Sequence, residues 1–407
     1  MVATKEPETL KHSMLNIGTL GHIDHGKTSL TRAITGVWTD KHSESIKRNM
    51  TIKLGFADAI IRLCKKCNEY TVGDSCKQCG GKPEPLMRIS MLDAPGHETL
   101  MATAIAGSSV IDAILFVIAA NEPCPMQQTK EHLMIINVLG IKNVIIVQTK
   151  VDIVGRDAAV EHYKQIKAFV KGSVIENAPV VPVMPNLGVN LDILLGKMAA
   201  IPVPQRDTTS EPLMYVVRSF DVNRPGADAT KLVGGVIGGA VIKGTIRKED
   251  KIEIRPGFRN EKLKKETYEP IITIITGISN GTEQIDEATP GGLVAFSTEM
   301  DPAFTKADTL VGNAVGLVGK LPPVINKLSM KYHKLARDDV PEQRIMENEP
   351  LIIGIATATT VGYVKSAKKD RLEVELKKPL SIPNNMKIAV MRNVAHRWRL
   401  TGYGQIS

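Results

Sequence analysis

The segment GHIDHGKT, residues 21–28, constrains the fold of this chain more than any other stretch. It has the spacing of a phosphate-binding loop, in which a glycine is followed by four residues and then by Gly-Lys-Thr. The residues before it, 14–18, form a short apolar run that predicts a buried strand. A strand that leads through such a loop into a helix is typical of an α/β domain that holds a nucleoside triphosphate.

Each residue type in this loop has a role in holding phosphate. The glycines allow successive backbone N–H groups to point at one phosphate, the Lys27 ammonium neutralises charge, and the Thr28 hydroxyl ligates Mg²⁺. The alternative is a glycine-containing turn that matches the spacing by chance, and the preceding strand disfavours it. The predicted phosphate-loop residues are Gly21, Asp24, His25, Gly26, Lys27, Thr28 and Ser29.

Length and charge indicate a large soluble protein. Its 407 residues exceed what one core holds and predict several domains of about 100–200 residues each. Lys and Arg outnumber Asp and Glu, 52 to 43, for a net charge of +9, which is typical of a protein with a polyanionic partner or of a basic surface without one. The longest apolar run, residues 111–120, is too short for a membrane span, and no apolar signal segment begins the chain. We expect a cytoplasmic protein without a membrane partner.

The hydrophobic pattern changes near residue 205. Before it, apolar runs alternate with helix-like stretches at residues 28–34 and 127–139, which predicts a mostly parallel sheet covered on both faces. After it, short β-branched runs with frequent glycine predict antiparallel barrels. A further break lies at the Leu-Pro-Pro of residues 321–323. We predict an α/β nucleotide-binding domain followed by two antiparallel β-barrel domains, with the boundaries 1–205, 206–323 and 324–407.

Two further motifs predict how the nucleotide is read. Asp93 ends an apolar run and precedes Gly96 by three residues, so we expect the carboxylate to hold Mg²⁺ through water and the glycine N–H to contact a γ-phosphate. The alternative is a plain turn. The tetrapeptide TKVD, residues 149–152, follows another apolar run, and a carboxylate at Asp152 accepts hydrogen bonds from the N1–H and 2-amino groups of guanine, which adenine lacks. We therefore predict guanine, against the alternative of an ordinary exposed Lys-x-x-Asp. The predicted base-reading residues here are Thr149, Lys150 and Asp152.

Four of the five cysteines form two closely spaced Cys-x-x-Cys pairs. Each pair forms a tight turn that presents two thiolates, so two pairs suit tetrahedral zinc better than redox chemistry. The insert that holds them, at about residues 62–82, lacks an apolar core, and a metal would supply its folding energy. Clustered cysteines also favour a reducing compartment. The predicted zinc ligands are Cys64, Cys67, Cys76 and Cys79.

Taken in order, these motifs resemble those of the translational GTPases, and residues 234–257 resemble the second-domain barrel of elongation factor Tu and its relatives. The likeness is narrower at several segments, which are similar to the gamma-subunit family of translation initiation factor 2 of archaeal and eukaryotic type. These segments are HSE at 42–44, MTIKLG at 50–55, DAPGHE at 93–98, AANE at 119–122 and RSFDVN at 218–223.

The resemblance implies a heterotrimer with alpha and beta subunits that binds GTP and carries methionylated initiator tRNA to the small ribosomal subunit with its mRNA. It implies slow GTP hydrolysis without the ribosome or an activating partner. It assigns Thr51 to the first switch, where its hydroxyl reaches Mg²⁺ in the GTP state, and His97 to the orientation of attacking water. For His97 the alternative is a hydrogen-bonded surface histidine. The implied catalytic residues are Asp24, Gly96 and His97, and the implied Mg²⁺ residues are Asp24, Thr28, Thr51 and Asp93.

Three positions depart from the family pattern. Thr149 stands where relatives have Asn, which removes an amide able to brace the phosphate loop but keeps a hydroxyl. Asn49 replaces a glycine before the first switch, and Asn tolerates the left-handed region better than most residues. A Ser-Ala pair whose alanine N–H donates to guanine O6 is replaced by Met-Pro, and proline has no N–H. Either Met184 or Asn186 supplies the donor or O6 goes without, and we predict that Asn186 takes part. The predicted residues of this part of the pocket are Met184, Pro185 and Asn186.

Basic residues dominate the C-terminal region, with aromatic residues interleaved. We expect them to form a surface that holds an RNA backbone, against the alternative of a solvated barrel face. The basic residues are Lys365, Lys368, Lys369, Arg371, Lys377, Lys378, Lys387, Arg392, Arg397 and Arg399.

Two other functions stay open. One is an elongation-type carrier, including a carrier specific for selenocysteinyl-tRNA, which the cysteine insert and the matches at 42–44 and 50–55 disfavour. The other is the GTPase subunit of a sulfate-activating enzyme, which shares the three-domain layout but acts on a small anion. Binding of an acylated tRNA separates the sulfate-activating function from the other two.

Overall fold

The structure is a computed structural model, and it describes residues 10, 12–39, 55–93, 110–224, 226, 228, 232–260, 267–335, 337, 344–384 and 386–406. Contacts divide the chain into two compact units, one of residues 1–101 and 111–205 and the other of residues 102–110 and 206–407.

The first unit is a seven-stranded sheet with helices. Its strands are β1 Leu15–Leu20, β2 Gly55–Cys64, β3 Glu69–Thr71, β4 Glu84–Asp93, β5 Ala113–Ala119, β6 Val144–Thr149 and β7 Val180–Pro182. Its helices are α1 Lys27–Thr35, α2 Gln127–Leu139, α3 Arg156–Val170 and α4 Leu191–Ala199.

The sheet has the strand order β3-β2-β4-β1-β5-β6-β7. From β4 to β7 every neighbouring pair is parallel, whereas β2 runs antiparallel to both β3 and β4. All residues of β1, β5 and β6 are buried, as expected for parallel strands covered on both faces. The carboxyl ends of parallel strands meet at one edge, where α/β proteins bind their ligands. The phosphate loop, Asp93 and residues 149–152 therefore lie at the same edge.

The second unit consists of antiparallel strands. They are β8 Leu213–Phe220, β9 Val236–Lys243, β10 Ile246–Arg247, β11 Lys251–Asn260, β12 Thr267–Ser279, β13 Gln284–Ile285, β14 Glu287–Ala288, β15 Val294–Thr298, β16 Ala314–Leu317, β17 Val324–Lys334, β18 Pro350–Ile355, β19 Ala358–Lys368, β20 Arg371–Ser381, β21 Lys387–Val394 and β22 Arg397–Ile406. A short 3-10 helix covers Pro302–Asp308.

These strands form two barrels. In the first barrel the ring β11-β16-β8-β9-β15-β12 closes through the pairing of β12 with β11, and β13 extends β12. The second is the closed ring β17-β20-β19-β18-β21-β22. One cluster of buried hydrophobic side chains fills the first barrel, and another fills the second barrel and includes Leu213, Tyr215 and Ala314 of the first. Closure of each ring removes exposed strand edges. The predicted fold class, a mostly parallel α/β domain followed by two antiparallel barrels, is confirmed, while the exact domain boundaries stay a prediction.

Candidate nucleotide and metal sites

The phosphate loop joins β1 to α1 and needs glycine at its first position. Gly21 has a φ of 149°, and a Cβ placed on it would lie 2.2 Å from Val117 O, which no other side chain tolerates. Asp24 has a φ of 61° and Gly26, at the start of α1, a φ of 86°. Such left-handed residues turn successive N–H groups toward one point, which is the arrangement that binds phosphate.

Lys27 is buried at the base of this loop. Its Nζ donates to Gly21 O at 2.9 Å and to His22 O at 2.7 Å. Burial lowers the pKa of Lys27 to about 8, against the opposing effect of the carboxylates of Asp93 and Asp24. The two carboxylates offset only part of the cost of burying the Lys27 ammonium in the loop, and a bound phosphate would supply the further negative charge.

The Asp93 carboxylate accepts hydrogen bonds from the hydroxyl groups of three threonines in different segments of the chain. Thr28 Oγ1 donates to Asp93 Oδ2 at 2.7 Å, and Thr39 Oγ1 donates to the same oxygen at 2.8 Å. Thr19 Oγ1 donates to Oδ1 at 3.0 Å, since Thr19 and Asp93 are paired in the parallel register of β1 and β4. The structure therefore brings together Thr28 and Asp93, two of the predicted Mg²⁺ residues, and a hydroxyl with a carboxylate is a donor set that suits this ion.

Both ring nitrogens of His25 contact other parts of the protein and are not available to bind phosphate. Its Nδ1 lies 3.2 Å from Val117 O, and its Nε2 lies 3.3 Å from Glu122 Oε2. Burial lowers the pKa of His25 to about 4, although the Val117 carbonyl and the Glu122 carboxylate favour the charged form. The ring is therefore neutral at physiological pH, and we assign phosphate binding to the backbone of His25.

The end of β6 is tied directly to the phosphate loop. Thr149 is buried, and its Oγ1 donates to His25 O at 2.7 Å. Lys150 has a φ of 58°, which turns the chain sharply after the strand, and Asp152 is exposed two residues later. An exposed carboxylate at this edge of the sheet can accept hydrogen bonds from a base. The hydroxyl of Thr149 thus holds the phosphate loop against the end of β6.

The predicted second part of the base pocket is a compact loop, residues 184–190, which we call the guanine-side loop. It is closed by a hydrogen bond of 3.2 Å from Met184 N to Val189 O. Asn186 is exposed, and its role toward guanine O6 stays a prediction. Asn190 donates through Nδ2 to Pro182 O at 2.9 Å, so the loop is anchored on β7 at the point where α4 begins.

Two site residues were not indicated by the sequence. Gln128, at the start of α2, accepts through Oε1 a hydrogen bond of 3.2 Å from Ile23 N in the phosphate loop. Thr39 contacts Asp93 although the two residues are 54 apart in the chain. Neither has a local motif, so only the tertiary fold reveals them. Thr51, Gly96 and His97 lie outside the described residues.

The cysteine insert has the geometry of a four-thiolate metal site. The Sγ atoms of its four cysteines all lie within 4.8 Å of one another, and Cys64 Sγ is 3.7 Å from Cys79 Sγ. Thiolates bound tetrahedrally to zinc at about 2.3 Å lie roughly 3.8 Å apart. Asn68 and Gly80, each directly after a Cys-x-x-Cys pair, have φ values of 53° and 68°, which closes the two turns. The four candidate ligands are Cys64, Cys67, Cys76 and Cys79.

The electrostatics of the cluster also favour a cation. Hydrogen bonding to Cys79, followed by desolvation and the other thiols, raises the pKa of Cys67 to about 12. Crowded thiols resist ionisation because like charges would be brought together, and a divalent ion removes that cost. The residues present therefore fit zinc.

Not every basic residue of the last barrel is available to RNA. Arg392 is buried and forms a bidentate ion pair with Glu349, at 2.6 Å from Nε and 3.0 Å from Nη2. Lys378 is half-buried and donates through Nζ to Val311 O at 2.8 Å. Both side chains thus bind within the barrel unit. The prediction that they belong to an RNA-binding surface is therefore wrong for these two residues. In the described residues no helix is long and apolar enough to cross a membrane.

Two family models match the chain. The model described as Elongation factor Tu GTP binding domain matches residues 12–220. The model described as Initiation factor eIF2 gamma, C terminal, matches residues 326–406. The first model covers the parallel sheet, and the second covers the second barrel, from β17 to β22.

Curated relatives match over nearly the full length. A protein of Methanococcus maripaludis named Translation initiation factor 2 subunit gamma is 48% identical over 403 residues, covering 97% of this chain and 98% of its own length. Proteins with the same name from Methanothermobacter thermautotrophicus and Pyrococcus horikoshii are 49% and 47% identical, over 97% and 98% of this chain and 99% of their own lengths.

Solved structures share the fold. A bacterial selenocysteine-specific elongation factor EF-Sec superposes with a TM-score of 0.73 at 24% identity, covering 97% of this chain and 58% of that one. The elongation factor SelB of Methanococcus maripaludis, in complex with the GTP analogue GppNHp, superposes with a TM-score of 0.72 at 20% identity, covering 98% of this chain and 80% of that one. At such low identity the likeness shows the fold alone.

Proposed function

This chain belongs to the family of translation initiation factor 2 gamma subunits, and from this we propose that it carries methionylated initiator tRNA to the small ribosomal subunit in its GTP-bound state. It is a GTP-binding subunit of a translation initiation factor and a GTPase. The carriage of tRNA, the release by hydrolysis and the assignment of individual residues form the proposal.

The observation that carries the proposal is the convergence of Lys27, Thr28 and Asp93 at the carboxyl edge of the sheet. On nucleotide binding, the Lys27 ammonium exchanges its two loop carbonyl oxygens for phosphate oxygens, because an anion stabilises a buried cation more than neutral acceptors do. The Thr28 hydroxyl and the Asp93 carboxylate would hold Mg²⁺, which would supply charge neutralisation at the phosphates. Asp152 selects guanine, and the guanine-side loop forms the other wall of the base pocket.

Hydrolysis needs little chemistry from the chain beyond positioning and charge neutralisation. We assign the water-orienting role to His97 and the γ-phosphate contact to Gly96, with Thr51 and Asp24 near the metal, by the family resemblance. Hydrolysis is expected to be slow until the ribosome or an activating partner completes the site. Departure of the γ-phosphate then removes the contacts that hold the switch segments, and tRNA is released.

The remaining assignments follow from the same family. Zinc is held by the four cysteines, whose spacing fits it, in a structural role. The partners are the alpha and beta subunits of the factor, initiator tRNA and the small ribosomal subunit with mRNA, and the location is the cytoplasm. The proposed domains are residues 1–205, 206–323 and 324–407.

The test is filter binding of methionylated initiator tRNA and methionylated elongator tRNA to the full chain, with and without the alpha subunit. Each is measured with a non-hydrolysable GTP analogue and with GDP, and a Lys27→Met variant serves as the control without nucleotide. Tight binding of the initiator alone, and only with the GTP analogue, is expected. Equal binding of both tRNAs would favour an elongation-type carrier, and no binding of either would favour the sulfate-activating function.

A further inference from the structure

The cysteine insert, residues 62–82, packs on the helix that follows the guanine-side loop. Tyr70 of β3 is half-buried against the core that includes Leu194 and Leu195 of α4. A Cβ placed on Gly196 would lie 3.0 Å from both Cδ2 and Cε2 of Tyr70. Glycine in a helix interior is unfavourable relative to alanine. The close approach of the Tyr70 ring gives a reason for it here.

The side chain of Lys77 extends to the loop itself, into the space that a Cβ on Gly188 would enter. Lys77 follows Cys76 in the second Cys-x-x-Cys pair, and its Nζ lies 3.0 Å from the position that a Cβ on Gly188 would occupy. Gly188 is in the guanine-side loop and donates its N–H to Pro185 O at 3.3 Å. Because Lys77 stands between two thiolates of the cluster, a bound metal fixes the backbone from which its side chain extends.

The guanine-side loop lies next to the base-reading residues. β7 runs parallel to β6, with Val147 opposite Val181, and Val183 N donates to Gln148 O at 2.8 Å. The residues after β7 and those after β6 therefore leave the sheet side by side, and the latter include Asp152. Any movement of the guanine-side loop changes the wall of the pocket that faces the base.

We propose that the cysteine insert is a brace for the guanine-side loop, acting through Lys77 on Gly188 and through Tyr70 on α4, so that metal occupancy sets how long guanine nucleotide stays bound. This inference rests on the proposed function, in which the four cysteines hold zinc and the loop contacts the base. It makes Tyr70 and Lys77 positioning residues for a base that neither of them touches. The insert is then a regulator of nucleotide exchange as well as a folded appendage.

The test measures release of fluorescent GDP from the full chain by stopped flow. Lys77→Ala is compared with Lys66→Ala, an exposed lysine in the first Cys-x-x-Cys pair, which makes the same charge change in the same insert. We expect Lys77→Ala to speed release about twofold, the size of effect typical of a substitution at an exposed side chain, and Lys66→Ala to leave the rate unchanged. Removal of zinc by a chelator, followed by return of Mg²⁺, should speed release at least as much in the unsubstituted chain.

A second pair of variants tests the contact with α4. Gly196→Ala should speed release because its methyl group displaces the Tyr70 ring, and it should have no further effect in a Tyr70→Ala background. Gly73→Ala is the control, since a Cβ there would meet nothing nearer than 3.5 Å. A loose base pocket weakens GTP and GDP equally, because both carry the same base, whereas damage at the phosphates would separate their affinities. Equal losses for the two nucleotides, with zinc content unchanged, are therefore expected.

Failure of the brace and failure of the proposed function give different results in these experiments. If Lys77→Ala and zinc removal leave the release rate unchanged in a chain that binds GDP tightly, the brace is refuted and the tRNA-carrier function is untouched. If the purified chain binds GDP but holds no zinc, both the brace and the metal assignment are wrong. If it binds no guanine nucleotide, the proposed function falls together with the brace.

Discussion

The Thr149 hydroxyl donates a 2.7 Å hydrogen bond to the His25 carbonyl oxygen, and this bond joins the end of β6 to the phosphate loop. It couples the strand that precedes the base-reading Asp152 to the loop that holds the phosphates. The two ends of a nucleotide would therefore be held by one continuous structure.

Replacing Thr149 by valine tests this bond, because valine has the same shape without the hydroxyl. We expect Thr149→Val to weaken GDP binding by about 1 kcal/mol, roughly a fivefold rise in the dissociation constant, since the loop loses a buried hydrogen bond. Thr149→Ser keeps the hydroxyl and should bind GDP as the unsubstituted chain does. Calorimetric titration measures both. Equal affinities for the valine and serine variants would show that the bond does not position the loop.

Much of this region follows from local sequence. The phosphate loop, its flanking strand and helix, and the cysteine cluster have fixed spacings, because each depends on backbone geometry over a few residues. The sequence shows that Thr149 keeps a hydroxyl, but not that β6 comes close enough to His25 for this hydroxyl to reach its carbonyl oxygen. The sequence places Arg392 in a basic surface because it cannot show the ion pair with Glu349, which lies just before β18 and 43 residues away in the chain. Such pairings depend on tertiary contacts that no local pattern encodes.

Asp152→Asn should change the preferred base from guanine to xanthine. Guanine presents two donors to the carboxylate, whereas xanthine presents an N1–H donor and an O2 acceptor, which an amide matches. We expect GDP affinity to fall on the order of 100-fold, from the loss of charge-assisted hydrogen bonds, and xanthosine diphosphate to bind in its place. Asp157→Asn, an exposed carboxylate in the first turn of α3, is the matched control. If the Asp152→Asn variant still prefers GDP, Asp152 does not contact the base.

Nucleotide affinity should fall as the pH rises above about 8. Burial lowers the pKa of Lys27 to about 8 in the empty protein, and a bound phosphate raises it again by favouring the charged form. Between these two pKa values binding takes up a proton, so the dissociation constant for GDP rises by at most about tenfold per pH unit. Calorimetry at pH 9 in two buffers of different ionisation enthalpy measures the uptake. No uptake at pH 9 would mean that Lys27 is charged before the phosphate arrives.

His132, on α2, should make the first unit sensitive to acid. It is fully buried, and among the described residues neither of its ring nitrogens has a hydrogen-bond partner. Burial, with smaller effects from the charges of Lys27, His22 and His25, lowers the pKa of His132 to about 3. The unfolded chain, with a histidine pKa near 6.5, then binds more protons between pH 6.5 and pH 3. The free energy of unfolding therefore falls as the pH falls through this window, by up to about 1.4 kcal/mol per pH unit from this residue.

Two substitutions separate the titration of His132 from its burial. His132→Leu removes both the proton site and the unpartnered nitrogens, so we expect a flatter pH dependence and a higher free energy of unfolding at pH 5. His132→Asn removes the proton site but keeps a buried polar group, so it should flatten the pH dependence without the second gain. Hydrogen exchange of the β1 and β5 amides reports on this unit alone. An unchanged slope between pH 6.5 and pH 5 in both variants would assign the acid sensitivity to other groups, of which His25, with its pKa lowered to about 4, is the next to substitute.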